Sequence, residues 1–193
     1  MKAAVVNAGR GGAGGNSAAL CQLAAAHLTD RRVEVEVVTL AEIPGFAPHR
    51  GAFERADLLV FATGTYWDAW SSKLGELLEE ATPTEGTALW LGKPVCVLVS
   101  AHEVGGKGVL SRLQGVLVTM GCLVPPMSGV VVNRSSDIAR AHATPGEADD
   151  LWGPADVEVA IHNVVEAARG TRGWRAWDVD RERFAERWLR PRG

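Results

Sequence analysis

Two uninterrupted apolar runs, Leu58-Leu59-Val60-Phe61-Ala62 and Val95-Cys96-Val97-Leu98-Val99, limit what this chain can fold into more than any other feature. A strand with no polar residue on either side must be covered on both faces, the condition of a central strand in a parallel sheet between helices. The rest of the chain supplies matching pieces. Ala3 to Val6 is another short strand, and Val33 to Val37 alternates valine with glutamate, as an edge strand with one exposed face does. A last strand runs from Leu123 to Val132, interrupted by Pro125-Pro126. Helical spacing of apolar residues lies between them, at Ser17 to Leu28, Ser71 to Glu80 and Lys107 to Met120. Pro154, suited to a first helical turn, opens a final helix that ends near Ala168. Ile43 to Gly51 and Asn133 to Gly153 read as loops. The alternation predicts an α/β three-layer sandwich with right-handed crossovers and a five-stranded parallel sheet in the order 2-1-3-4-5.

Length and charge narrow the class further. The 193 residues suit one domain, expected over 1–170, with a tail over 171–193. Trp174, Trp177, Phe184 and Trp188 in that tail want burial, so docking on the domain or on a dimer partner is expected. A net charge of −3 argues against nucleic acid or an acidic membrane as partner. No basic segment with a long apolar core opens the chain, and no apolar run reaches the roughly 18–20 residues of a membrane span, so a cytoplasmic location is expected. Cys21, Cys96 and Cys122 stand far apart in apolar patterns and read as reduced, buried thiols, not as metal ligands.

The chemistry is concentrated where strands end. After Ala3–Val6 comes a loop with five glycines between Gly9 and Gly15, closing in Asn16-Ser17 before an alanine-rich helix. Glycines allow left-handed backbone and close approach of a ligand, and a helix start offers bare N–H groups to an anion. Gly9 to Gly14 satisfies G-x-G-x-x-G literally, but the dinucleotide fingerprint also wants an acid at the end of the second strand. That end carries Thr39 and Leu40, with Glu42 already in the loop. A P-loop is missing its Gly-Lys-Ser/Thr. The third reading is a flavin-mononucleotide phosphate loop, with Asn16 and Ser17 as side-chain donors. Ser17 or Asn16 also suits the helix N-cap. The runs at 58–62 and 95–99 open into Thr63-Gly64-Thr65-Tyr66-Trp67-Asp68 and Ser100-Ala101-His102-Glu103-Val104-Gly105-Gly106. In the order 2-1-3-4-5 these three loops converge on one crevice.

Together the loop Gly9–Ser17, the segment Ala62–Leu74, the strand start Gly92-Lys93-Pro94-Val95 and the loop Ser100–Gly106 resemble the NADPH-dependent FMN reductase family of the flavodoxin-like superfamily. The likeness covers most of Met1 to about Arg169. The family pattern has Pro-x-Tyr, small residues, then Ser-x-x-Leu-Lys. Tyr66 and Leu74 fit it, Gly64 stands where proline is common, and Asp68 and Trp70 replace smaller or more flexible residues. The resemblance implies a flavodoxin-like fold and non-covalent FMN. Gly9, Arg10, Asn16 and Ser17 would surround the phosphate; Thr65, Tyr66, Trp67 and Asp68 would line the isoalloxazine. Ser100, His102, Gly105 and Gly106 would close the pyrimidine end. Of Tyr66 and Trp67, one is expected against the flavin and the other against a partner. Trp67 and Trp70 also suit a core or a dimer interface. His102, beside Glu103, suits proton delivery.

The resemblance further implies an NAD(P)H-dependent oxidoreductase passing electrons to a quinone, an azo or nitro compound, or free flavin, with NADPH or NADH as co-substrate. No metal is needed, because the cofactor carries the chemistry. A homodimer or dimer of dimers is expected. Two alternatives remain at this point, a flavodoxin-like electron carrier and a redox-inactive binding module on the same scaffold.

Overall fold

The computed structural model describes residues 1–142 and 152–170, and the tail over 171–193 lies outside them. Five strands form one parallel sheet in the order β2-β1-β3-β4-β5. They are β1 (Lys2–Asn7), β2 (Glu34–Thr39), β3 (Leu58–Gly64), β4 (Val95–Ala101) and β5 (Gly129–Asn133). The expected order is the observed one, and the arrangement is flavodoxin-like.

The two apolar runs behave as double-sided strands. Leu59 and Phe61 of β3, with Val95, Val97 and Val99 of β4, face one core; Leu58, Val60 and Ala62, with Cys96 and Leu98, face the other. The first core is closed by α2 (Arg50–Arg55), α3 (Ser72–Ala81) and α4 (Gly106–Met120), through residues such as Phe53, Leu77 and Leu113. The second is closed by α1 (Asn16–Asp30) and α6 (Asp156–Arg169), through Leu20, Leu28, Ile161 and Val165. Period-two alternation in a strand thus divides its side chains between the two layers of helices.

β2 is the expected edge. Its Glu34 pairs with Lys2 of β1 at 2.9 Å, and Glu36 pairs with Arg55 of α2 at 2.9 Å. Val37 is half-exposed on this edge strand.

Three expectations are corrected. The region 43–51 is not all loop: a 3₁₀ turn over Ala47–His49 leads into α2, whose first residues, Arg50 and Gly51, lie within it. The last strand is shorter than Leu123–Val132. Leu123 makes an isolated bridge with Pro94, then the chain leaves the sheet and returns only at Gly129. Pro125 and Pro126 carry no N–H to donate to a ladder, and Met127 takes a left-handed φ of 56°. Finally, α5 (Arg134–His142) occupies the start of what reads as a polar loop. It buries no residue, so it leaves no apolar period to read.

Candidate functional site

The carboxyl ends of β1, β3 and β4 lie side by side, so the loops leaving them meet at one end of the sheet. Each loop is fixed by a different device.

The glycine loop is clasped by Asn7, the buried last residue of β1. Its Oδ1 accepts from the Gly9 N–H at 3.1 Å and its Nδ2 donates to the Gly12 carbonyl at 3.0 Å. Gly12 has φ +54°, a conformation open to glycine at little cost. Gly9 runs hard against α1: a Cβ there would stand 2.7 Å from Cβ and Oγ of Ser17. Helix α1 begins at Asn16 with Gly15 as N-cap and no side-chain cap. Capping by Ser17 or Asn16 is therefore corrected. Both residues already lie in the first turn, and both line the crevice. The first helical bond runs from the Ala19 N–H to the Gly15 carbonyl at 3.1 Å. The N–H groups of Asn16, Ser17 and Ala18 therefore have no acceptor within the helix, and they sit at the positive end of its dipole.

The second loop is tied to the first. Ser71 is fully buried; its hydroxyl donates to the Ala8 carbonyl and accepts from the Leu74 N–H at 3.3 Å, capping α3. Thr63 Oγ1 accepts from the Ser71 N–H at 3.2 Å, and the Thr65 N–H donates to the Ser100 carbonyl at 2.9 Å. Between them Tyr66 and Ala69 exchange two backbone bonds, of 2.8 and 2.9 Å, around Trp67 and Asp68. Both central residues have positive φ, 49° and 57°, as in a type I′ turn. Such turns favour Asn-Gly, since a side chain in left-handed backbone costs about 1–2 kcal/mol. Combining Trp67→Asn with Asp68→Gly is expected to stabilise the fold by about 1–2 kcal/mol, read as a higher urea midpoint. An unchanged or lower midpoint would show that the native side chains hold the turn.

The third loop is pinned from behind. The Ser135 N–H donates to the His102 carbonyl at 3.1 Å, and Asn133 Nδ2 donates to the Glu103 carbonyl. Gly105 has φ +83°, and the Asp68 carboxylate occupies the space that a Cβ there would need. Gly106 packs on β5, where a Cβ would meet Val131 Cγ1 at 2.5 Å.

The crevice encloses about 170 Å³. Of the expected site residues, Gly9, Asn16, Ser17, Thr65, Tyr66, Ser100 and His102 line it together. Arg10, Trp67, Asp68, Gly105 and Gly106 stand outside its wall. The Arg10 N–H donates to the Tyr66 hydroxyl at 3.3 Å, and its guanidinium lies 5.9 Å from the ring centroid. Trp67 is fully exposed at the turn tip, and Trp70 packs half-buried against the core. Asn7 and Ser71 were not among the expected site residues, although they shape two of the three loops. The available signal was a polar residue ending an apolar strand and a serine three residues before an apolar helical position.

Among the described residues, one buried side-chain polar atom is unsatisfied. Thr65 Oγ1 is buried without a hydrogen-bond partner and belongs to a residue on the crevice wall. Buried hydroxyls almost always find partners, so the crevice fits a ligand that brings a polar atom there. β2 ends at Thr39 with Glu42 exposed beyond it, so no acid stands at the strand end that a dinucleotide ribose needs. Among the described residues, no group of three or more His, Cys, Asp or Glu could hold a metal ion, and no helix is long and apolar enough to cross a membrane.

Burial pushes the Cys21 and Cys122 thiols up to about 12, and Cys96 higher still. A raised value leaves the thiol protonated, so at pH 8 the thiolate fraction of Cys21 falls roughly a thousandfold below that of a free thiol. A disulfide reagent such as DTNB is expected to find no rapidly reacting thiol in the folded protein and three in urea. One fast native thiol would contradict this.

Residues 1–137 match the family model described as NADPH-dependent FMN reductase. No curated protein matches the chain by sequence. Among solved structures, an oxidoreductase from Corynebacterium diphtheriae is similar with a TM-score of 0.68 at 17% identity, over 87% of this chain and 96% of that one. An apo NADH:FMN oxidoreductase, EmoB, is similar with a TM-score of 0.67 at 17% identity, over 86% and 89%. RosB, with bound 8-demethyl-8-formylriboflavin-5'-phosphate, is similar with a TM-score of 0.67 at 18% identity, over 88% and 79%. At these identities the likeness is one of fold.

Proposed function

Because this chain belongs to the NADPH-dependent FMN reductase family, we propose that it binds FMN in the three-loop crevice and uses it to carry electrons from NADPH or NADH to a small organic acceptor. The observation that carries this reading is the buried, unpartnered hydroxyl of Thr65, a residue lining the same crevice as Asn16 and Ser17, whose N–H groups are open at the start of α1. The two features suit one ligand with a terminal phosphate and a polar ring edge.

In this reading the N–H groups of Asn16, Ser17 and Ala18, with the Ser17 hydroxyl, hold the phosphate, and Arg10 balances its charge from the rim. Gly9 lets the backbone pass close enough to do so. The Thr65 hydroxyl and the peptides of residues 64–66 support the ring, while Tyr66 covers one end of it. Bound FMN supplies hydride and electron transfer at its ring, so no side-chain nucleophile is required. His102, which also lines the crevice, gives a proton to the reduced acceptor. Quinones, azo or nitro compounds and free flavin are the acceptor classes. A second copy of the chain, meeting the first at the exposed Trp67, completes the rim.

Anaerobic titration of the FMN-loaded protein with NADPH and NADH tests this. Bleaching of the visible flavin bands, followed by recovery on adding a quinone, is the expected result. Protein that takes up no FMN would refute the reading. Reduction only by a separate reductase would make the chain a carrier. Light scattering on the eluting protein checks the dimer, which a monomeric mass would exclude.

A further inference from the structure

On the far side of Asn16 from the glycine loop lies a second cavity, of about 430 Å³. It opens between α1, the carboxyl ends of β4 and β5, and the start of α5. Cavities of about 150 Å³ already admit benzene, so this one has room for a two-ring body. Its floor is apolar, built from Leu20 and Leu23 of α1, Val132 of β5 and Pro154 ahead of α6.

Its rim is charged in an uneven way. Asp137 reaches the cavity but is committed to Arg140 at 2.7 Å. Asn133 is committed too: its Oδ1 accepts from the Ser135 N–H at 2.9 Å and hydroxyl at 2.7 Å, and its Nδ2 donates to Glu103. Arg134, the next residue, has no carboxylate partner among the described residues, and it too lines the cavity. An apolar floor with an unpaired guanidinium at the lip complements a flat hydrophobic molecule bearing a negative group.

We propose that this cavity binds planar, apolar small molecules carrying an anionic group, with Arg134 as the partner of the anion. The inference goes beyond the flavin reading and does not need it. Asn16, Ser100 and His102 line both cavities, so a molecule held here lies one side-chain layer from the crevice. Such chemistry has two sources, a free aromatic acid or the base and phosphate of a nucleotide.

A fluorescence titration of the full chain with 1-anilinonaphthalene-8-sulfonate tests the proposal, with unlabelled competitors. Saturable binding is expected, displaced by 2-naphthoate and at least about tenfold less well by uncharged 2-naphthalenemethanol, since a charge-assisted bond carries that much discrimination. Arg134→Gln, an exposed substitution, should weaken naphthoate about tenfold and leave the alcohol unchanged. Leu23→Glu should remove both by placing charge in the floor. Adenosine monophosphate displacing the probe as well as naphthoate does identifies the nucleotide source; naphthoate alone identifies the free acid. Equal binding of acid and alcohol, or indifference to both variants, would each overturn the proposal. FMN titration of the same variants keeps the two readings apart. Parent protein that binds naphthoate but takes up no FMN sinks the flavin reading alone, and parent protein that binds FMN but no naphthoate sinks this one. Variants that lose naphthoate while keeping FMN are the expected result.

Discussion

Gly9→Val is expected to weaken FMN binding at least about a hundredfold, equivalent to about 2.7 kcal/mol, while the far-UV circular dichroism stays that of the parent. The new Cβ would lie 2.7 Å from Cβ and Oγ of Ser17 and 3.3 Å from Oδ1 of Asn7. Ser17 cannot withdraw, because α1 is anchored through Leu20, Ala24 and Leu28 in the second core. The loop must move instead. That breaks the Asn7 clasp on the Gly9 N–H and the Gly12 carbonyl, and carries the loop away from the bare N–H groups of α1. Quenching of flavin fluorescence on titration reads the effect. A valine variant that still holds FMN as tightly as the parent would remove the glycine loop from the binding site.

Trp90→Ala is expected to cost about 3–5 kcal/mol, a large part of the roughly 5–15 kcal/mol that keeps a domain folded. Trp90 is fully buried between the sheet and its helices. Its ring lies 5.3 Å from Phe53 and 6.1 Å from Phe46, and its indole N–H donates to Thr84 Oγ1 at 2.8 Å. Alanine leaves a cavity among aromatic rings and removes the donor from a buried hydroxyl. The urea midpoint should fall with little change in slope, and Trp90→Phe should recover part of the loss. A shift below about 1 kcal/mol would mean that the surrounding rings close the gap.

Trp90 also marks where the chain could not be read. Strands were legible because Leu58–Ala62 and Val95–Val99 state their double burial in consecutive residues. Helices α1, α3, α4 and α6 were legible because each buries one face at helical spacing, α3 through Leu74, Leu77, Leu78 and Ala81. Trp90 sits in the irregular stretch between α3 and β4, where no period announces which side points inward. α5 was illegible for the opposite reason: it buries nothing, and Asn133, accepting from the Ser135 N–H, is its local start signal. In the site, the three loops were legible from their place after strands. The contacts that shape them were not, because Ser71 reaches Ala8 across 63 positions and the Asn7 clasp depends on how the loop folds back. The exposure of Trp67 follows from two left-handed residues that its composition disfavours, so propensity pointed away from the observed turn.

The salt bridges along β2 have a consequence for what this protein becomes when crowded. The outer edge of an open sheet is a row of unpaired peptide groups, ready to template a strand from another chain and begin a fibril. Here that edge is flanked by Glu34, tethered to Lys2, and Glu36, tethered to Arg55. An incoming β2 from a second copy would bring its own glutamates against these and disturb paired charges to seat itself. Growth of the sheet from one molecule to the next is therefore opposed at this side.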